Sequence, residues 1–198
     1  MNEIKKATPD HPVHEIIANR WSPYAFADKP VNKADLLAIF EAARWAASAY
    51  NEQPWRYIVA TKDQPEEFAR LLSCLVEPNQ AWAQHAPVLA LGIVGLNYTH
   101  NDKPNGTAWH DLGLASANLT AEATARGLAV HQMGGIVPER AREIYAIPEG
   151  FVAFTGLAVG YPGTATGELA KRDGAPRTRR PLGEFMFAGE FGQAFTAP

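Results

Sequence analysis

Two stretches of the chain are apolar with little alternation. Val88-Leu89-Ala90-Leu91-Gly92-Ile93-Val94 and the run from Phe151 to Val159 read as strands covered on both faces. Helical spacing marks the segments between and around them. Leu36, Leu37, Phe40 and Ala43 recur at that spacing over residues 33–46, behind a capping-box pattern Asn32-x-x-Asp35. Pro65-Glu66-Glu67 starts a helix carried by Phe68, Leu71, Leu72 and Leu75 and broken at Glu77-Pro78-Asn79. A short helical piece is expected around Trp82. Asp10 is the expected cap of a first short helix with Pro12 in its first turn.

From Thr107 to Arg126 the pattern is helical and rich in small residues, with Gly113, Ala117 and Ala121 four apart and Gly127 as the stop. Apolar or small side chains nearly all round predict a buried helix, and the small residues allow close approach by another helix, including one from a second subunit. Residues 128–136 begin as strand and loop through Met133-Gly134-Gly135, and Pro138 opens a helix that ends before Pro148. The tail from Thr164 is rich in Gly, Pro and Arg. Its phenylalanines at 185, 187, 191 and 195 favour an arm laid across another surface. No internal repeat appears, so residues 1–198 are expected to form one domain with 164–198 as an extended C-terminal arm.

The stretch from Ala42 to Tyr57, AARWAASAYNEQPWRY, interrupts this pattern. A helix ends in amides and small residues, and a strand follows at about 55–60. Pro54 disfavours helical geometry at Gln53. The turn therefore presents short polar groups and open backbone beside a buried strand, a suitable place for a planar, hydrogen-bonding ligand.

Composition narrows the classes. A chain of 198 residues, 46% hydrophobic and 20% charged, builds a core without staples. The 18 basic and 21 acidic residues give a formal charge of −3, so no global attraction to nucleic acid is expected. The single cysteine, Cys74, sits in an apolar run and is expected to be inert packing. Six histidines without metal-binding spacing predict no metal site. The N-terminus lacks a secretory apolar region, and no run reaches the roughly 18–20 residues of a membrane span. A soluble cytoplasmic protein is expected. No GxGxxG follows a strand, and phosphate-loop and GxSxG motifs are missing.

Three clusters carry candidate chemistry. Arg20-Trp21-Ser22 offers a guanidinium and a hydroxyl for a phosphate or polyol chain; the alternative is a surface arginine and a turn-ending serine. Asn51 and Gln53 offer paired donors and acceptors, or else satisfy the end of a helix. Arg177-Thr178-Arg179-Arg180 is a solvated basic face, a ligand contact or a nucleic-acid patch.

The order and spacing of several motifs resemble the FMN-dependent nitroreductase family. They are Arg20-x-Ser22 with Phe26, Glu41-Ala42-Ala43-Arg44-Trp45-Ala46, the stretch Ala47 to Trp55, Asp111-Leu112-Gly113-Leu114-Ala115 and Asn118-Leu119. Further on come Gly127-Leu128, Gln132-Met133-Gly134-Gly135, Ile147-Pro148-Glu149-Gly150, Val159-Gly160-Tyr161-Pro162 and Arg177-x-Arg179-Arg180-Pro181-Leu182. The resemblance implies an α+β three-layer sandwich, with a mostly antiparallel sheet between helices, and a homodimer whose C-terminal strand joins the partner's sheet.

It also implies FMN at the dimer interface. Arg20, Trp21, Ser22, Arg177 and Arg179 would hold phosphate and ribityl. Ala47, Ser48, Ala49 and Asn51 would reach the cofactor from the other subunit, Asn51 and Gln53 would suit the uracil-like edge of the flavin, and Met133, Gly134 and Gly135 would lie along the isoalloxazine. Tyr24 stands where relatives often carry a basic residue, and Ala47 where many carry proline. The implied activity is hydride passage from NAD(P)H to a nitro compound, quinone or enone by a ping-pong mechanism, with no side chain named as catalytic. Trp109, His110, Tyr98 and Trp82 are candidates for the acceptor pocket. The alternatives are an FMN-binding store or sensor without turnover, and an interaction module using the basic tail.

Overall fold

The computed structural model of the chain describes residues 3–196. Helix α1 spans Glu15–Asn19. Asp10 and Pro12 lie outside it: the cap is His14, whose Nδ1 accepts the Ile16 N–H at 3.2 Å. Helix α2 spans Lys33–Arg44, and Asn32 caps it by accepting the Asp35 N–H at 2.8 Å. The reciprocal half of the expected box differs. The Asp35 carboxylate accepts from the Asn32 side chain and from Arg126, because a carboxylate one methylene shorter than glutamate finds these donors instead.

Strand β1 is Trp55–Thr61, and α3 is Pro65–Leu72. Leu75 falls beyond α3, where it bridges Ile136. Glu77 and Pro78 do not break α3; they begin a separate helix, α4, Glu77–Ala83. Proline is compatible with a first turn because its missing N–H would have no intrahelical partner there. Strand β2 is Val88–Gly95, α5 Ala108–Ala125, β3 Ala129–Met133 and α6 Pro138–Tyr145. Strand β4 runs Phe151–Gly160, and α7 spans Gly167–Gly174. The tail therefore does not begin as an extended arm.

The four strands form an antiparallel sheet in the order β1-β2-β4-β3. Every residue of β2 is buried, so alternate side chains serve two cores. Leu89, Leu91 and Ile93 join Phe68, Leu71, Trp82 and Ala141 of α3, α4 and α6. Val88, Ala90 and Val94 join Ile39 of α2 and Leu112, Ala115 and Leu119 of α5. The result is helix, sheet and helix in three layers.

Strand β4 is continuously buried only in its second half, with Ala153 the one buried residue before it. Its register slips at Gly92/Ile93, where Thr155 faces Gly92 and Ala153 faces Ile93, leaving Phe154 as an extra residue. Such a bulge turns the strand's side chains locally out of alternation, and Phe154 emerges exposed. Helix α5 also departs from burial all round. Ala108, Asp111, Leu112, Ala115 and Leu119 are buried, whereas Gly113, Ala117 and Asn118 are open.

The tail returns to the body through α7. The buried Asp173 carboxylate accepts the backbone N–H groups of Tyr24 and Ala25 at 3.1 Å. Lys5 Nζ donates to the Arg172 and Ala175 carbonyls at 2.7 and 2.6 Å. Asp173→Ala would leave two backbone donors unpaired and is expected to destabilise the fold by about 2–3 kcal/mol, read by urea unfolding. Asp173→Asn retains one acceptor and should recover part of that loss.

Candidate functional site

A cavity of about 470 Å³ opens between α1, α5 and β3, lined by Ile16, Arg20, Ser22, Ala117, Thr120, Ala121, Gln132 and Arg179 among others. Arg20 follows the last turn of α1 as its C-cap, and its Nη1 donates to Ser22 Oγ at 3.1 Å. Arg177 reaches back to donate to the Lys5 and Ala18 carbonyls, both at 2.9 Å. Its Nε is buried without a hydrogen-bond partner. Burial, then the charges of Arg177 and Arg179, lower the Arg20 pKa. Burial, then Arg179, does the same to Arg177. Among the described residues no carboxylate pairs with any of these three guanidiniums. The cluster is an uncompensated positive site.

Gln132 lies at the middle of the cavity wall. Its Nε2 donates to Thr120 Oγ1 at 3.0 Å and to the Ser116 carbonyl at 3.3 Å, which fixes the outer face of β3 against α5. Beyond Gln132 a second cavity of about 470 Å³ continues along Met133, Gly134, Ile136, Phe154 and Thr155. A Cβ on Gly134 would meet nothing within 4 Å, whereas one on Gly135 would meet Asn79 Nδ2 at 2.5 Å. Gly134 is therefore open surface and Gly135 is packing. The two cavities adjoin at Gln132 and are together called the trough, with guanidiniums at one end and a mostly apolar lining at the other.

The remaining expected residues are placed elsewhere. Trp21 is buried beneath Lys5 and lines a different cavity with Asn19 and Asp173. The Tyr24 ring packs edge-on to Trp82 and His131 at 5.1 and 4.7 Å. None of residues 47–53 lines the trough. They form a turn in which Ser48 Oγ accepts the Gln53 N–H at 3.0 Å and Asp111 Oδ2 accepts the Ala49 N–H at 3.2 Å. Tyr50, Asn51 and Gln53 all have positive φ, 53°, 55° and 52°. Pro54 does keep Gln53 out of the right-handed helix, but into the left-handed region rather than the extended one. Non-glycine residues held this way cost about 1–3 kcal/mol each and collect at functional sites.

Of the acceptor-pocket candidates, Trp82 is buried in the core. Tyr98 stacks with Tyr50 and His100 beside the turn. His110 is exposed, and Trp109 packs against Phe154. Thr120 and Phe154 went unmarked in the sequence. Phe154 lies within an apolar run, and its exposure depends on a register slip set by β2.

The family model described as "Nitroreductase family" matches residues 17–161. The chain belongs to the nitroreductase family. Its class is that of a nitroreductase-like oxidoreductase. It is 33% identical over 133 residues to a protein of Mycolicibacterium smegmatis named for its mass of 15.4 kDa and its place in the ask 5′ region, covering 66% of this chain and 88% of that one. A putative NADH dehydrogenase/NAD(P)H nitroreductase of Archaeoglobus fulgidus is 28% identical over 153 residues, 75% of this chain and 84% of that protein. Among solved structures, an oxidoreductase containing FMN superposes with a TM-score of 0.87 at 37% identity, over 93% of this chain and 95% of that one.

His131 supports the Arg20 loop from behind. Its Nδ1 donates to the Pro23 carbonyl at 2.8 Å. Burial is the main cause that lowers its pKa, with Arg20 adding and Pro23 and Asp173 opposing. The unfolded chain therefore takes up the proton first as pH falls. Stability present above about pH 6.5 is lost as pH drops toward the lower folded value. Urea titrations at pH 7.5 and 5.5 are expected to show a smaller loss of stability for His131→Gln than for the native protein.

Proposed function

We propose that this nitroreductase-family chain is an FMN-dependent homodimer that passes reducing equivalents from NAD(P)H to an electron-poor nitro compound, quinone or enone. The observation that carries this reading is the trough, with unneutralised guanidiniums at one end and open small residues along its floor.

The residues fit FMN. Arg20 and Arg179 line the cavity and supply donors for a phosphate, which guanidinium binds through paired hydrogen bonds; Arg177, its Nε without a partner, adds its charge from behind. Ser22 and Gln132 offer polar groups along the trough for the ribityl chain. Ala117, Ala121 and Gly134 leave space for a flat ring system. FMN supplies the two-electron chemistry when bound. The chain binds, orients and shields. One shared place for nicotinamide and acceptor, used in turn, is the ping-pong order. For a quinone the balance is NAD(P)H, a proton and quinone giving NAD(P)⁺ and hydroquinone.

A second copy accounts for what one chain leaves uncovered. The turn at 48–53 is locked against α5 through Asp111 but does not face its own trough, so it serves the partner's cofactor. Gly113 of α5, exposed and outside the trough, admits close helix contact. Outer strands β1 and β3 each have a free edge, and unpaired edges accept added strands. The arm beyond Pro181 carries Phe185, Met186 and Phe191, the last 96% exposed. Burying such side chains against a partner contributes about 1.5–3 kcal/mol each.

Purified protein should carry or take up FMN, and NAD(P)H should bleach it anaerobically. Colourless protein that takes up no FMN defeats the proposal, and flavin that stays oxidised points to storage or sensing. Arg20→Ala with Arg179→Ala should weaken FMN binding about 10- to 100-fold, measured by fluorescence titration. Truncation after Pro181 should shift sedimentation toward monomer; an unshifted dimer would show that the arm does not hold the subunits together.

A further inference from the structure

At the far end of the trough two aromatic side chains meet at the surface, Phe154 in the cavity lining and Trp109 packed against it. Phe154 is the extra residue of the β4 bulge and is 51% exposed, while its neighbour Ala153 is buried. Trp109, in the first turn of α5, is 39% exposed. Their ring centroids lie 4.6 Å apart at 56°. Two elements distant in sequence thus bring large rings together at the surface instead of into either core.

The surroundings say what such a pair suits. The adjoining cavity is lined by Met133, Gly134, Ile136, Pro138, Val152 and Thr155. Thr155 turns its one hydroxyl donor away from a ligand, donating to the Met133 carbonyl at 3.1 Å. The wall that remains is almost wholly apolar. It recognises by stacking and exclusion of water. About 470 Å³ lies within the range that holds a small organic molecule.

We propose that Trp109 and Phe154 form the wall on which the ring of an aromatic acceptor, a quinone or nitroarene, stacks at the apolar end of the trough. The assignment rests on the flavoenzyme reading above. An electron-poor ring meets the electron-rich faces of indole and phenyl, an arrangement favoured by the opposed quadrupoles of such rings. An acceptor without a ring gains nothing from it. The pair therefore sets acceptor preference and takes no part in proton or electron transfer.

The test compares kcat/KM for a two-ring quinone with that for ferricyanide, using holoenzyme assayed with NADH or NADPH, whichever it accepts. Phe154→Ala and Trp109→Ala should lower the quinone-to-ferricyanide ratio about 10-fold, within the range of lost aromatic contacts. Phe154→Leu, which keeps bulk without a ring, should lower the ratio while retaining the native melting temperature; Trp109→Phe should restore most of it. A ratio unchanged within twofold in flavin-loaded Phe154→Leu overturns the wall. So does a shift in sedimentation with parallel loss on both acceptors, which marks a contact between subunits. Failure of the native protein to bind FMN is a separate outcome and removes the reading on which the wall depends.

Discussion

Burial of β2 on both faces is the constraint from which the rest of the architecture follows. A strand with no solvent face needs a helical layer on each side, and the two cores claim alternate residues from Val88 onward. Chemistry that must meet a ligand is thereby driven to the rim, where α5 crosses β3 and the sheet ends. The trough lies there. Its floor is the side of α5 that packing leaves free, and its wall is the outer face of β3, tied to α5 by Gln132.

The same geometry explains why Asp111 is buried near the start of that helix. Its carboxylate accepts the Ala49 N–H and lies 3.4 Å from Thr107 Oγ1, so one side chain joins the helix that floors the trough to the strained turn. Glu52 extends the fastening by accepting the Thr99 N–H at 2.9 Å. Left-handed backbone at Tyr50, Asn51 and Gln53 persists because these contacts over-determine it. The strain sits on a segment that lines neither cavity of its own chain. Such an arrangement is costly for a lone subunit, and in the dimer proposed above the turn is given to a neighbour's site.

Legibility in the sequence followed from how local each cause is. The strands, α2 and α5 could be read because their apolar spacing is a property of each segment alone. Arg20-x-Ser22 stood out only beside the family motifs, whereas the turn at 48–53 could be read because its run of amides and small residues is unusual after a helix. Helix α7 could not: Gly167-Glu168-Leu169-Ala170-Lys171-Arg172-Asp173-Gly174 has little apolar pattern. It is held by Lys5 and Asp173, contacts to chain more than 140 residues away. Phe154 was hidden for a related reason. A bulge is a relation between two strands, and nothing in β4 alone says which residue has no partner on β2. Trp21 and Tyr24 sit in a legible motif, yet their rings turn into packing, because a motif gives neighbours in sequence and not side-chain direction.

The tail joins these observations. Asp173 and Lys5 anchor the chain just before Arg177 and Arg179, so the docking of α7 sets Arg179 in the cavity lining and Arg177 behind it. Docking brings positive charges toward Arg20 with no acidic partner, so the charge cluster opposes the very packing that assembles it. An anion bound among the three guanidiniums removes that repulsion. By linkage, whatever free energy the anion gains from the assembled cluster is returned as stability of the docked tail. Cofactor binding and the placement of the arm are then one equilibrium viewed from its two ends. On the dimeric reading proposed above, the uncompensated arginines are what would couple the ligand site to the segment that follows it.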